Sequence, residues 1–187
     1  MQISIFICLA SGESAFDRFQ AEFQKVIELV AENVRKCGQE LCTSIGHFQF
    51  DMGIIPALHF IGTKCRWLLL RRKVLAILGS CYWREGLFDS YRSYRCIFRV
   101  MEAEEVGMNP GLISNAAELE EFASYLPPEP LQVYAVTLGP VPLYEAEQQL
   151  TLLLKPNRVF NAPVYFKTTI PASGKSPPLE PWFTWSP

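Results

Sequence analysis

Apolar residues recur at three- and four-residue steps between positions 16 and 36, which is the period of one face of an α-helix. This stripe consists of Phe16, Phe19, Phe23, Val26, Ile27, Val30 and Val34. Arg35 and Lys36 follow, where the helix dipole favours positive charge, and Gly38 is a natural stop signal. We therefore predict a helix over 16–36 whose aromatic face packs against another element.

Two further apolar segments predict helices in the middle of the chain. Ile54–Thr63 predicts a short helix with Pro56 in its first turn, where a missing amide costs least. Trp67–Leu78 predicts a second helix that is apolar on more than one face and is therefore well buried. The segment before them, 43–53, is predicted to form turns.

The next predicted helix begins at Asp89 or Ser90, either of which is a suitable N-cap, and ends near Val106. Its basic residues precede its acidic residues, which opposes the helix dipole and indicates that these charges have tertiary partners. The acidic runs Glu102–Glu105 and Glu118–Glu121 are nevertheless interpreted as solvated helix faces.

The C-terminal third mixes helix and strand patterns. A capping box that starts at Asn115 predicts a helix to about Tyr125. Leu131–Leu138 and Arg158–Ile170 are rich in β-forming residues, and we predict that they pair in a small sheet. Glu145–Leu154, which lies between them, is predicted to be a short helix.

These elements predict a mainly α fold, an irregular array of several helices with a small β element near the C-terminus. The expected organisation is a helical domain over 1–126, a β-containing extension over 127–170 and a proline-rich tail over 171–187. No internal repeat is visible in the sequence.

Composition narrows the class of protein without naming a function. Hydrophobic residues make up 49% and charged residues 19%, which fits a packed core and excludes wholesale disorder. The net charge of −2 gives no overall field to hold the chain on nucleic acid. Residues 64–99 are an exception, because their nine basic and two acidic residues give a net of +7. The apolar runs are far shorter than the ~20 residues of a membrane span, and no export signal is recognisable, so we expect no membrane partner and an intracellular location.

The residues that usually carry catalysis or bind metal do not form a recognisable motif. No Cys-x-x-Cys pair, glycine-rich phosphate loop, nucleophile elbow or His-Glu-x-x-His pair is present, and there are two histidines. We interpret the six cysteines as free, largely buried thiols, and His59 as a packed core histidine. Cys42 with His47 is a minor alternative as a nucleophile pair. We expect no enzyme activity, no catalytic or metal-binding residue and no cofactor.

One stretch carries several specific motifs in a fixed order. It begins with Gly-Ile-Ile-Pro-Ala-Leu-His-Phe at 53–60 and Lys-Cys-Arg at 64–66. Paired arginines at 71–72 follow, then Arg-Glu-Gly-Leu-Phe-Asp-Ser at 84–90, and finally two glutamates at 104–105. With the helix that precedes it, this stretch resembles the C-terminal part of the regulatory domain of fungal zinc-cluster (Zn2Cys6) transcription factors, over roughly residues 5–105.

The chain also departs from that family. The six-cysteine zinc cluster that binds DNA is absent, and Met1 would fall inside the family domain, so the chain resembles an N-terminally truncated factor, a regulatory remnant or an incomplete gene model. Ala57 and His59 replace the family's usual proline and tyrosine, and Phe88 replaces its usual tryptophan.

The resemblance implies a non-catalytic regulatory or protein-interaction module of transcription regulation in the nucleus. It also implies protein partners or self-association, and no sequence-specific DNA binding by this chain alone. The family-motif residues are interpreted as structural, through ion pairs and capped carbonyls that fix helix packing. They are Gly53, Pro56, Lys64, Cys65, Arg66, Arg71, Arg72, Arg84, Glu85, Gly86 and Asp89.

Other interpretations remain open at this point. In one alternative, the arginines of the family motifs form a basic surface that binds phosphates or an acidic partner. In another, the chain is a small-molecule-binding helical domain or an uncharacterised enzyme with an apolar pocket. In a third, it is a non-functional fragment that aggregates through an exposed core face.

Overall fold

Four α-helices lie in the part of the chain that the computed structural model describes, which is residues 13–43, 47–49, 53–80, 82–105, 126–139, 147–154 and 164–171. The fold is mainly α with some strands. A 3₁₀-helix at Glu13–Phe19 leads into the first α-helix. The helices are α1 (Gln20–Thr43), α2 (Ile54–Lys64), α3 (Leu68–Ser80) and α4 (Ser90–Glu105).

Two three-stranded sheets accompany the helices. The first has the order β1-β2-β3 and is made of β1 (His47–Gln49), β2 (Trp83–Glu85) and β3 (Phe88–Asp89). The second has the order β4-β5-β6, is antiparallel throughout and is made of β4 (Val133–Leu138), β5 (Glu147–Leu154) and β6 (Val164–Pro171). A short 3₁₀-helix at Glu129–Leu131 precedes β4.

The prediction of a helix over Glu145–Leu154 is wrong, because this segment contains β5, the central strand of the second sheet. Its buried side chains alternate, with Gln148, Leu150 and Leu152 turned inward, which is the two-residue period of a strand. The two β-like segments that were expected to pair share this sheet but are separated by β5, so each of them pairs with β5.

Strands also lie outside the C-terminal third, which corrects the expected placement of the β element. β1 falls in the segment predicted to form turns, and it pairs in parallel with β2, His47 opposite Trp83. β2 and β3 form a tight hairpin in which Gly86 adopts a positive φ of 54°, a conformation that favours glycine.

The predicted helices in the described part of the chain lie at the observed positions, but some of their first and last residues differ. α1 continues past Gly38 to Thr43, so that glycine is not the stop that we expected. α2, α3 and α4 begin within one residue of the predicted positions. The predicted helix over 115–125 and the proline-rich tail lie outside the described residues.

Within the described residues two apolar clusters form the core, and α4 contributes to both. Ile97 and Met101 of α4 join the larger cluster with side chains from α1, α2 and α3. Cys96 and Val100, which directly precede those two residues and lie about 100° from them around the helix, join a smaller cluster with the inner face of the β4-β5-β6 sheet. Gly62 lets α2 approach α4 closely, since a Cβ at this position would overlap the side chain of Ile97.

Candidate functional site

The charged residues of the family-like stretch converge between α3 and α4. Two arginines from the start of α3, one arginine from the connection before it and two glutamates from the end of α4 are almost completely buried. Asp17 of the first 3₁₀-helix lies at their edge. We call this group the arginine–carboxylate cluster. Its members are Arg66, Arg71, Arg72, Glu104, Glu105 and Asp17.

Glu104 stands at the centre of the cluster and connects the helices to the second sheet. Its Oε2 accepts a 2.6 Å hydrogen bond from Arg71 Nη2, and its Oε1 accepts a 2.7 Å hydrogen bond from the backbone N–H of Val133. Arg71 also donates from Nε to the carbonyl of Cys65 at 3.0 Å, just after the end of α2. Glu104 therefore links α4 to α3 and β4 through two short hydrogen bonds, and Arg71 extends this connection to the residue after α2.

Arg72 and Glu105 form a parallel two-bond pair next to it. Arg72 Nη1 donates to Glu105 Oε1 at 3.3 Å, and Arg72 Nη2 donates to Glu105 Oε2 at 3.1 Å. The planar guanidinium matches the two carboxylate oxygens, a geometry that lysine cannot reproduce. The pair joins the start of α3 to the last residue of α4.

Arg66 completes the cluster with longer contacts. Its Nη1 lies 3.4 Å from Asp17 Oδ1, and its Nε lies 3.5 Å from Glu104 Oε1. The pKa of Asp17 is raised from its ordinary value of 3.8, because its burial outweighs the attraction of Arg66. Arg66 thus connects the first 3₁₀-helix to the centre of the cluster.

Such a cluster holds the fold together only while it is complete. Taking ions out of water carries a large desolvation penalty, which mutual attraction offsets when geometry and hydrogen bonds are good. Removal of one partner leaves an uncompensated buried charge and costs roughly 3–5 kcal/mol. In the structure these charges contact one another and are almost completely shielded from solvent, which fits the structural role predicted for the motif residues.

Glu85 performs a related task at the hairpin. Its side chain is 4% exposed, and its Oε2 accepts hydrogen bonds from the backbone N–H groups of Gly53 at 3.1 Å and Ile55 at 2.8 Å. These amides lie at the N-terminus of α2, where unpaired donors and the helix dipole favour an anion. Glu85 therefore caps a helix whose preceding residue, Gly53, lies 32 residues earlier in the chain.

The residues that follow the hairpin anchor α4. Asp89 Oδ1 accepts a 2.8 Å hydrogen bond from the backbone N–H of Arg92, which makes Asp89 the N-cap of that helix. The hydroxyl of Ser90 accepts a hydrogen bond from the backbone N–H of Trp83 at 3.2 Å. The hairpin is thus fixed to two helix N-termini.

The other residues of the family motifs lie around these two groups. Lys64 Nζ donates to the carbonyl of Tyr134 at 2.6 Å and lies 5.2 Å from the ring centroid of Phe16. Pro56 lies in the first turn of α2, as expected. Arg84 is exposed, and its Nε donates to the carbonyl of Gly86 at 3.2 Å.

The prediction that the glutamates at 102–105 are all solvated is wrong for two of them. Glu104 is 0% exposed and Glu105 is 2% exposed, whereas Glu102 is exposed as expected. The signal that could have found them was the charge order along α4, which opposes the helix dipole and indicated tertiary partners. Asp17 was not singled out from the sequence.

Little in the described chain is suited to nucleophilic or metal chemistry. Burial raises the pKa of Cys65 to about 11 and that of Cys96 to about 12, so both thiols stay protonated at neutral pH. His59 is half-buried, and burial lowers its pKa. Across residues that the structure describes, no group of three or more His, Cys, Asp or Glu side chains is placed to hold a metal ion. The side chains of the Cys42 and His47 pair lie outside the described part.

Comparison with known proteins gives one informative similarity. No protein-family profile and no solved structure matches this chain. Over 91 residues the chain is 32% identical to the aspercryptin biosynthesis cluster-specific transcription regulator atnN of Emericella nidulans. The match covers 46% of this chain and 13% of that protein, so the chain spans only a small part of the regulator's length. Among the described helices, none is long and apolar enough to cross a membrane.

Proposed function

We propose that this chain is a non-catalytic regulatory or protein-interaction module of transcription regulation, which acts in the nucleus and has no zinc cluster of its own for reading DNA. Two observations on the sequence support the proposal. The ordered motifs between Gly53 and Glu105 resemble the regulatory domain of fungal zinc-cluster factors. The 32% identity over 91 residues is to a fungal transcription regulator.

The observation that carries the proposal is the inward placement of the motif charges. Arg71, Arg72 and Glu85 are each at most 4% exposed, and each is hydrogen-bonded to a carboxylate, a carbonyl or helix amides. Groups used in this way build a rigid body and are not available to a substrate. The proposed mode of action of such a body is contact with other proteins through its surface.

A reporter experiment tests the regulatory role. The chain is fused to an unrelated DNA-binding domain and expressed in a filamentous fungus. The same strain carries a reporter gene that is preceded by the operator of that domain. We expect reporter output to change severalfold, and we expect the Arg99→Ala fusion, which alters only an exposed ion pair, to behave as the unaltered fusion does. A fusion present in the nucleus at normal abundance that leaves the reporter unchanged would contradict the proposal.

A binding experiment tests the DNA part separately. Purified chain is titrated against labelled duplexes of random sequence, and fluorescence anisotropy is read at two salt concentrations. We expect weak binding that salt abolishes, because residues 64–99 carry a net of +7 while no reading element has been recognised. Selection of one sequence with nanomolar affinity would overturn this part.

A further inference from the structure

The tip of the β2-β3 hairpin exposes an apolar side chain that the fold does not need. Leu87 is 84% exposed, which is the largest value among the exposed large hydrophobic side chains of the described residues. It directly follows Gly86, whose positive φ makes the tight turn between the strands. A single exposed leucine is common on protein surfaces, and the surroundings of Leu87 distinguish it.

The hairpin holds Leu87 on a rigid base. Beneath it, Trp83 is 4% exposed in the main core and Glu85 is hydrogen-bonded to the N-terminus of α2. Asp89 caps α4, and Ser90 is bonded to the backbone of Trp83. A rigid apolar tip loses little conformational entropy when a partner binds to it, which favours affinity.

Two tyrosines lie on the same outer side of the hairpin. Tyr82 and Arg84 flank the buried Trp83, and because side chains alternate along a strand both point away from the core. The ring of Tyr82 is 5.1 Å from that of Tyr91 at the start of α4, and Tyr82 is 40% exposed. The Tyr82 hydroxyl donates to Asp89, which raises the pKa of Tyr82 and fixes the ring.

The outer side of the hairpin is also basic. Arg84 is exposed and Arg92 is half-buried, and both charges act on the hydroxyl of Tyr82. The two acidic residues of the 64–99 block are both committed to internal hydrogen bonds, Glu85 with helix amides and Asp89 with the N–H of Arg92. Among the described residues, two guanidinium charges and one carboxylate charge therefore act on Tyr82, which leaves the balance there positive.

We propose that this side of the hairpin binds an acidic segment of a partner protein that carries at least one large apolar side chain. We call it the hairpin surface, and it consists of Tyr82, Arg84, Leu87, Tyr91 and Arg92. The proposal rests on the proposed function, a protein-interaction module, and names the partner's chemistry. Tyrosine and arginine are enriched among residues that dominate binding energy, and opposite charge steers the encounter. Acidic-hydrophobic segments are a composition found in transcriptional activation regions.

The test measures peptide binding to the intact chain. The probe is a fluorescein-labelled synthetic peptide of aspartate and glutamate with interspersed leucine and one tryptophan. Two matched peptides replace either the apolar residues with serine or the acidic residues with lysine. We expect the acidic apolar peptide to bind with micromolar affinity and both matched peptides to bind about tenfold more weakly or worse.

Two variants locate the binding site on the chain. Leu87→Ser and Arg84→Glu are expected to weaken binding of the acidic apolar peptide about tenfold, the loss typical of one central contact. Leu29→Ser is the matched control, because Leu29 is 53% exposed on α1, far from the hairpin in sequence, and we expect it to bind normally. Unchanged thermal melts confirm that all three variants fold, as expected for exposed positions.

Several results would overturn the proposal. The first is failure of the acidic apolar peptide to bind, and the second is a Leu87→Ser variant that binds this peptide as tightly as the unaltered chain does. The third is a dimer in light scattering that Leu87→Ser dissociates, because the hairpin surface would then be a contact between two copies of the chain. The reporter experiment separates this failure from that of the proposed function. A reporter that responds equally to the unaltered chain and to Leu87→Ser rejects the hairpin surface and leaves the regulatory role standing.

Discussion

Two ion pairs that involve α4 have the same chemistry and opposite surroundings. Arg72 and Glu105 are 1% and 3% exposed, whereas Arg99 and Glu102, one helical turn apart, are 39% and 44% exposed. The first pair joins two helices across the core, and the second spans three residues of one helix. Water screens the second pair and leaves little net energy in it, while the first cannot lose a partner without leaving a bare charge in the core. Burial, and not the presence of a salt bridge, decides which charges hold this fold together.

The largest effect is expected at Glu104. Glu104→Ala leaves Arg71 and the N–H of Val133 without their acceptor, so we expect the free energy of unfolding to fall by roughly 3–5 kcal/mol. Urea denaturation followed by circular dichroism measures it. A loss below about 1 kcal/mol would show that the cluster is not needed for stability. If the variant fails to fold, the milder Glu104→Gln, which keeps an acceptor oxygen, should fold with intermediate stability.

A smaller loss is expected at Glu85. Glu85→Ala leaves two amides at the start of α2 without an acceptor, and capping losses of this kind are about 1–2 kcal/mol. Glu85→Gln keeps the acceptor but removes the charge, and it should lose less. The same denaturation experiment compares the two variants, and equal losses would argue against a role for the carboxylate charge at this helix end.

A pH-dependent effect is expected at His59. Burial lowers the pKa of His59 from its ordinary value of 6.5, so below pH 6.5 the unfolded chain takes up a proton that the folded chain resists. Stability should therefore be retained above pH 6.5 and fall as the pH drops below that value. His59→Phe, which preserves the edge-on contact with Phe88, should flatten this part of the profile of melting temperature against pH. His47 is present in both the unaltered chain and the His59→Phe variant. If the melting temperature of both falls equally with decreasing pH, the effect comes from a group other than His59.

The smallest effect is expected at the exposed pair. Arg99→Ala should change the free energy of unfolding by roughly 0.2–1 kcal/mol, and addition of salt should remove the difference. Denaturation at low and high ionic strength measures both quantities. A salt-independent loss of several kcal/mol would mean that burial does not separate the two pairs.

The sequence predicted the four α-helices because each carries a long apolar period or a clear cap, as in the stripe from Phe16 to Val34. It did not predict β5, since Glu147–Leu154 is a short apolar run in which helix and strand periods are hard to separate. It did not predict β1 either, because this three-residue strand is defined by its pairing with residues 83–85. Local patterns do not contain such distant partners.

The candidate site was predicted only in part, because the sequence pattern around a residue does not reveal its distant partners. The arginines were recognised from their density beside apolar runs, and their need for partners follows from burial. Glu104 and Glu105 were assigned to solvent because each lies in an acidic helix end that looks solvated on its own. Their partners are 33 residues away, so only the packing of α3 against α4 reveals that they are buried.

The coupling between Arg72 and Glu105 tests the central claim most directly. A double-mutant cycle with Arg72→Met and Glu105→Met compares each single variant and the pair by urea denaturation, with Arg99 and Glu102 as the exposed reference. We predict that each buried single variant loses roughly 3–5 kcal/mol, that the double variant regains much of this, and that the exposed pair couples by less than about 1 kcal/mol. Buried and exposed pairs with equal, small coupling would contradict the claim that burial makes the two partners of an ion pair in this fold depend on one another.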